Sequence, residues 1–128
     1  EIHEALSDGR IDFAVHSLKD LETELPPGIV LACALRREDA RDAIVLGPEC
    51  CDARADDPYA CLPTGALVGT ASVRRQSQLL HARPDLRVEM IRGNVGSRLA
   101  KVRAEGGPQA SLLALAGLRR LEMEHEVG

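Results

Sequence analysis

Aromatic side chains are nearly absent from this 128-residue chain, which has one Tyr, one Phe and no Trp. Proteins that hold single-stranded nucleic acid use aromatic platforms for base stacking, and those that follow a phosphate backbone carry a basic surplus. With a formal net charge of −4, general nucleic-acid affinity is not expected. No apolar run is long enough to span a bilayer and no secretory signal pattern opens the chain, so the expectation is a cytoplasmic protein without a membrane partner. The four cysteines, Cys33, Cys50, Cys51 and Cys61, lack zinc-type spacing. Cys33 sits in an apolar run and reads as a buried small hydrophobe. The other three share a loop with Asp52, Asp56 and Asp57, where free thiols are expected rather than a metal site. An initiator Met is also missing, and Glu-Ile-His-Glu-Ala-Leu begins in helical phase, as an excerpt of a longer polypeptide would.

What is present is a local concentration of arginine in an acidic protein. Ala66, Leu67 and Val68 form a short apolar run to Gly69, after which Thr70 and Ser72 offer hydroxyls where a helix should start. Arg74 and Arg75 then fall in or near the first turn, where the helix dipole disfavours cations by roughly 0.3–1 kcal/mol each. Two breaches of a local rule in succession point to an anionic ligand; the alternative is that both are solvated or paired with surface acids. The arrangement recurs. Val88 to Ile91 reads as a strand, followed by Arg92-Gly93-Asn94-Val95-Gly96-Ser97-Arg98 and a helical run through Ala104. Gly93 and Gly96 allow close backbone approach or positive φ, and Asn94 or Ser97 can cap the helix. Two such turns on successive strand-to-helix junctions belong at one edge of a parallel sheet, where α/β proteins bind ligands. The pattern predicts a site for a molecule with several anionic groups.

Elsewhere, Glu1 to Leu6 reads as the end of a helix stopped near Gly9. Ile11 to Ser17 is expected to form a strand ending in the polar cluster His16-Ser17-Leu18-Lys19-Asp20. Pro26-Pro27-Gly28 breaks the chain, and Ile29 to Leu35 reads as a strand buried on both faces. Arg36 to Asp42 is a dense charged turn, Ala43 to Leu46 a short strand, and Gly47 to Leu62 an aperiodic surface excursion. From Thr64 the rhythm is strand to Gly69, helix to Ala82, strand to Ile91, helix to about Ala104, strand Leu112 to Leu115, and a last helix over Ala116 to Met123. This alternation predicts an α/β fold, a parallel or mixed sheet with helices on both faces.

Asp12-Phe13-Ala14-Val15-His16-Ser17-Leu18-Lys19-Asp20, Arg37-Glu38-Asp39-Ala40-Arg41-Asp42-Ala43, Gly69-Thr70-Ala71-Ser72-Val73-Arg74-Arg75 and Ile91-Arg92-Gly93-Asn94-Val95-Gly96-Ser97-Arg98 together resemble the porphobilinogen deaminase (hydroxymethylbilane synthase) family. Leu115-Ala116-Gly117-Leu118-Arg119-Arg120-Leu121 fits the same family. The motifs occur in the family's order and leave out only the loop around Cys50 to Cys61. The resemblance implies a transferase of tetrapyrrole (haem) biosynthesis, acting as a monomer on porphobilinogen. The resemblance further implies that four porphobilinogens are joined into hydroxymethylbilane with release of ammonia, on a dipyrromethane cofactor attached to a cysteine. It also implies domains like type II periplasmic binding proteins: residues 1–40 as the C-terminal part of domain 1 and the crossing strand, and 41–128 as most of domain 2, with the active site in the cleft between them. By resemblance Asp20 is the catalytic carboxylate. Ser17, Lys19, Ser72, Arg74, Arg75, Arg92 and Arg98 match positions that bind cofactor or substrate carboxylates. Thr70, Gly93, Asn94 and Gly96 match the surrounding loops, and Arg120 is a weaker match.

The chemistry of the residues agrees. Each porphobilinogen ring carries an acetate and a propionate, and planar guanidinium forks suit a growing set of carboxylates, at about 1.5–3 kcal/mol for each charge-assisted contact. The reaction expels an amine through a cationic pyrrole, which one carboxylate can stabilise while managing the proton on the leaving nitrogen; a plain surface acid starting a helix is the competing role for Asp20. Three departures stand out: Ala71 where a second hydroxyl is common, Pro108-Gln109-Ala110 where an aromatic-Asp pair is common, and a long Gly47–Cys61 excursion. None of the four cysteines sits in the context of the cofactor attachment, which is expected outside this chain, so the chain alone is expected to be inactive. A non-catalytic solute-binding or effector-sensing domain for a small dicarboxylate is the alternative; it has no need of a carboxylate such as Asp20.

Overall fold

The computed structural model describes residues 2–50 and 56–127. The chain divides into two compact units, Glu1–Arg36 and Arg37–Gly128.

In the first unit, helix α1 (Ile2–Ser7) ends as its sequence requires. The Asp8 and Gly9 N–H groups donate to the Glu4 and Leu6 carbonyls, and Gly9 takes the left-handed φ of 66° that closes a helix without steric penalty. The two strands expected at Ile11 to Ser17 and Ile29 to Leu35 do not form. Between α1 and Arg36 the only regular element is a single 3-10 turn, Leu18–Asp20. Phe13, Val15, Val30 and Leu35 are each at least three-quarters exposed and Cys33 is exposed as well, so the expected two-sided burial of the second segment, and of Cys33 within it, is overturned. The reason is physical: an apolar, β-branched run becomes a strand only when a neighbour takes up its N–H and C=O groups, and no described segment does so here.

The second unit is a four-stranded mixed sheet in the order β1-β4-β2-β3, built from β1 (Asp42–Leu46), β2 (Leu67–Gly69), β3 (Arg87–Glu89) and β4 (Ala110–Ala114). β2 runs parallel to both β3 and β4, whereas β1 pairs antiparallel with β4, Asp42 opposite Ala114. Successive strand residues face opposite ways, and the core divides accordingly. Ile44, Val68, Ala110 and Leu112 pack with Leu79 of helix α2 (Val73–Ala82) on one side. Ala43, Val45 and Leu113 pack with Leu99 of α3 (Val95–Arg103) and Leu118 of α4 (Leu115–Arg120) on the other. The expected α/β sheet with helices on both faces is therefore present in this unit. β3 is shorter than the Val88 to Ile91 reading: it stops at Glu89, Met90 turns outward, and Ile91 is buried against the end of β2. Gly69 makes room for it, since a Cβ there would lie 2.5 Å from the Ile91 side chain.

The excursion after β1 is less of a surface loop than its composition suggests. Cys51 and Asp52 lie outside the described residues, but Leu62 is only 3% exposed, and Cys50, Tyr59 and Cys61 pack against the core. Arg83, just past α2, holds this segment by donating to the Tyr59 carbonyl at 2.7 Å and the Leu62 carbonyl at 3.2 Å. Its guanidinium also grips Asp85 through two contacts of 2.8 Å, and that hydrogen bonding pushes the Asp85 carboxyl down to about 2. A carboxylate whose folded pKa lies below its unfolded value near ~3.9 stabilises the fold above that value and loses the effect as pH falls through the folded pKa. Asp85→Asn should therefore lower the melting temperature at pH 6, with the gap to the parent chain closing as the melts are repeated from about pH 4 down to about pH 2.

Candidate carboxylate-binding edge

Because β2 and β3 are parallel neighbours, the loops that leave them emerge at the same edge of the sheet, and the Thr70 N–H donates to the Glu89 carbonyl at 2.9 Å to tie the two exits together. In the first loop the Thr70 hydroxyl, nearly fully buried, accepts from the Ser72 N–H, and Ser72 caps α2 by accepting from the Arg75 N–H. In the second, Asn94 rather than Ser97 is the cap of α3, its Oδ1 accepting from the Ser97 N–H at 2.8 Å and from the Ser97 hydroxyl at 2.9 Å. Gly93 has φ of 121°, outside the range of ordinary residues, and a Cβ there would strike Ser97. Arg98 folds back to donate to the Gly93 carbonyl at 2.9 Å, while Arg92 is exposed on the loop and its carbonyl accepts from Lys101. Thr70, Ser72, Arg74, Arg75, Arg92, Gly93, Asn94 and Arg98 thus share one edge.

The first-turn arginines do pair with an acid. Asp42 stands between them, its Oδ2 3.0 Å from Arg74 Nη2 and its Oδ1 2.7 Å from Arg75 Nη2. Its position follows from topology: an antiparallel β1 begins at the edge where β2 and β4 end. Burial pushes the Asp42 carboxyl up, but the hydrogen bonds and charges of Arg75 and then Arg74 outweigh it and hold the group below its ordinary range. Arg75 also donates to the Leu112 carbonyl at 3.3 Å, and its Nε is buried without a hydrogen-bond partner. Arg74 donates to Gln78 and stays 59% exposed. In the sequence Asp42 belongs to a charged turn and to one of the matched motifs, with no role assigned to it; its spacing from Arg74 carries no signal, and only the strand direction brings them together. Elsewhere in that turn Asp39 accepts from Arg41 and from Arg119 of α4, which holds its carboxyl well below the usual range.

Ser17, Lys19 and Asp20 lie in the first unit on one exposed turn, with the Asp20 N–H donating to the Ser17 carbonyl at 2.9 Å. They do not end a strand, since none forms before them. Arg120 is exposed on α4. Among the described residues no group of three His, Cys, Asp or Glu side chains could hold a metal, and no helix is long and apolar enough to cross a membrane.

Fold and edge together define an α/β domain that presents guanidiniums at the ends of parallel strands. Over residues 1–128 the chain matches the family model described as porphobilinogen deaminase, dipyromethane cofactor binding domain, and it belongs to the porphobilinogen deaminase family. It is 57% identical over 125 residues to a porphobilinogen deaminase of Caulobacter vibrioides, covering 98% of this chain and 36% of that protein. It is 54% identical to a chloroplastic porphobilinogen deaminase of rice, covering 96% of the chain and 32% of the relative. The chain thus spans about a third of the length of the curated relatives it matches. Nothing in these matches favours a solute-binding domain.

The caps allow a direct check on the second loop. Asn94→Ala should destabilise the chain by about 1 kcal/mol in denaturant unfolding, since both acceptor contacts to Ser97 are lost.

Proposed function

We propose that this chain is the portion of a porphobilinogen deaminase that binds the carboxylates of the dipyrromethane cofactor and of the growing pyrrole chain, and that supplies the catalytic carboxylate. The enzyme would condense four porphobilinogens into hydroxymethylbilane with release of ammonia. The observation that carries the reading is the pair of arginine-bearing loops leaving adjacent parallel strands at one edge, in a chain matched to this family from end to end. These residues suit the cofactor: it carries several carboxylates, and the edge offers exposed guanidinium faces at Arg74 and Arg92, Arg98 at the loop, and an unpaired buried donor at Arg75 Nε. When bound, the dipyrromethane serves as the primer to which porphobilinogen units are joined.

In this reading Arg74, Arg75, Arg92 and Arg98 bind and orient carboxylates, with the Thr70, Ser72 and Asn94 loops fixing their backbone. Ser17 and Lys19 take further ligand carboxylates. Asp20 holds its negative charge near the reacting pyrrole, stabilises the cation formed as the amine leaves, and manages the proton on the departing nitrogen. Its exposure on a short turn leaves the carboxylate open to a ligand. The finer architecture belongs to the same proposal: a type II periplasmic-binding-protein-like pair of domains, residues 1–40 and 41–128, in a monomeric cytoplasmic enzyme of haem biosynthesis that binds no nucleic acid.

The isolated chain should not convert porphobilinogen, because the cofactor cysteine is expected outside it; turnover by the purified chain would overturn that assignment. For Asp20, the chain should replace the matched stretch of the Caulobacter vibrioides protein, with turnover followed by tetrapyrrole absorbance and folding by thermal melt. Asp20→Asn should lose about 10²-fold or more in rate while substrate binding holds or tightens, and Asp20→Glu, which keeps the charge, should retain more. An Asn variant as fast as its parent would remove Asp20 from the mechanism.

A further inference from the structure

We infer that Asp42 is a positioning residue for ligand carboxylates, its two oxygens holding Arg74 and Arg75 together as one preformed fork. The inference rests on the functional reading above and adds a residue that reading does not use. Each Asp42 oxygen takes a different guanidinium, and each guanidinium has a second anchor: the Leu112 carbonyl for Arg75 and Gln78 for Arg74. Both long side chains are therefore fixed at two points. Arginine loses considerable rotamer freedom when it is ordered, and two adjacent guanidiniums repel one another unless an anion lies between them. Asp42 meets both demands before any ligand arrives. The trio keeps a net charge of +1, so the fork still attracts an anion, and Arg74 remains 59% exposed to receive one. Asp42 itself is held by the backbone, as the first residue of β1 in register with Ala114. An acetate or propionate then meets guanidiniums already ordered, which is the advantage of preorganisation.

A competing role would have Asp42 block the fork, and the two roles differ in sign. The test measures binding of a synthetic dipyrromethane bearing acetate and propionate groups by calorimetry, for the parent chain and for Asp42→Asn, with folding checked by thermal melt. Ordering energies of ~0.5–1.5 kcal/mol per side chain correspond to a weakening of about two- to tenfold in Asp42→Asn. In an Arg74→Gln background the same substitution should change affinity by less than about twofold, because one arm of the fork is already gone. Unchanged or tighter binding by Asp42→Asn overturns the inference. A second measurement needs neither ligand nor variant: ¹⁵N-detected NMR of the parent chain should show Arg74 and Arg75 with separate, slowly exchanging Nη signals. A motionally averaged Arg74 overturns the inference even if Asp42→Asn does not fold. A rigid fork in a parent chain that fails to bind the dipyrromethane sustains the ordering of Arg74 and Arg75 by Asp42 and overturns the functional reading with its ligand, so the two fail separately.

Discussion

Parallel pairing of β2 with both its neighbours is the constraint from which the site geometry follows. Parallel strands end at a common edge, so the loops leading into α2 and α3 emerge side by side without any contact having to draw them together. The sheet keeps that edge in order with few polar groups. Ser111, fully buried, donates to the Gly69 carbonyl at 3.0 Å, and the Thr70 N–H satisfies Glu89. The small size of Gly69 lets Ile91 close the space beneath the loops. The Gly69 and Glu89 carbonyls at the edge are thus paired, and the arginine side chains stand beyond them.

The single antiparallel strand adds what parallel strands cannot. Reversing β1 brings its amino end, and with it Asp42, to the edge where the other strands finish. Two cations in the first turn of α2 work against the helix dipole, and a carboxylate between them offsets both the dipole and their mutual repulsion. The breach of helix rules at Arg74 and Arg75 therefore has a local electrostatic answer, while the exposure of Arg74 leaves that answer compatible with a ligand.

Much of the second unit was legible in the sequence. Ser72 and Asn94 precede helical runs and cap them, and the strand read at Ala43 to Leu46 forms as β1, whereas β4 starts earlier than the Leu112 to Leu115 reading and gives Leu115 to α4; in the first unit, Gly9 ends α1. Signals of this kind act over a few residues, which is why they can be read without coordinates. The strands expected at Ile11 to Ser17 and Ile29 to Leu35 failed for the complementary reason. Their composition states a capacity to be buried and paired, but pairing is a property of two segments, and no described partner meets them. The excursion after β1 erred in the other direction: its lack of periodicity concealed Tyr59 and Leu62, which are bound to the core through Arg83.

By itself the sequence determined the succession of elements from Ala43 onward, the two arginine-rich turns, and the family to which those motifs belong, because each depends on residue types at short, fixed spacing. Tertiary structure decided which edge the turns share, which acid answers Arg74 and Arg75, and which of the apolar segments become strands. Those outcomes depend on strand direction and on partners distant in the chain, and Asp42 meets Arg75 across 33 residues only because β1 runs against its neighbour.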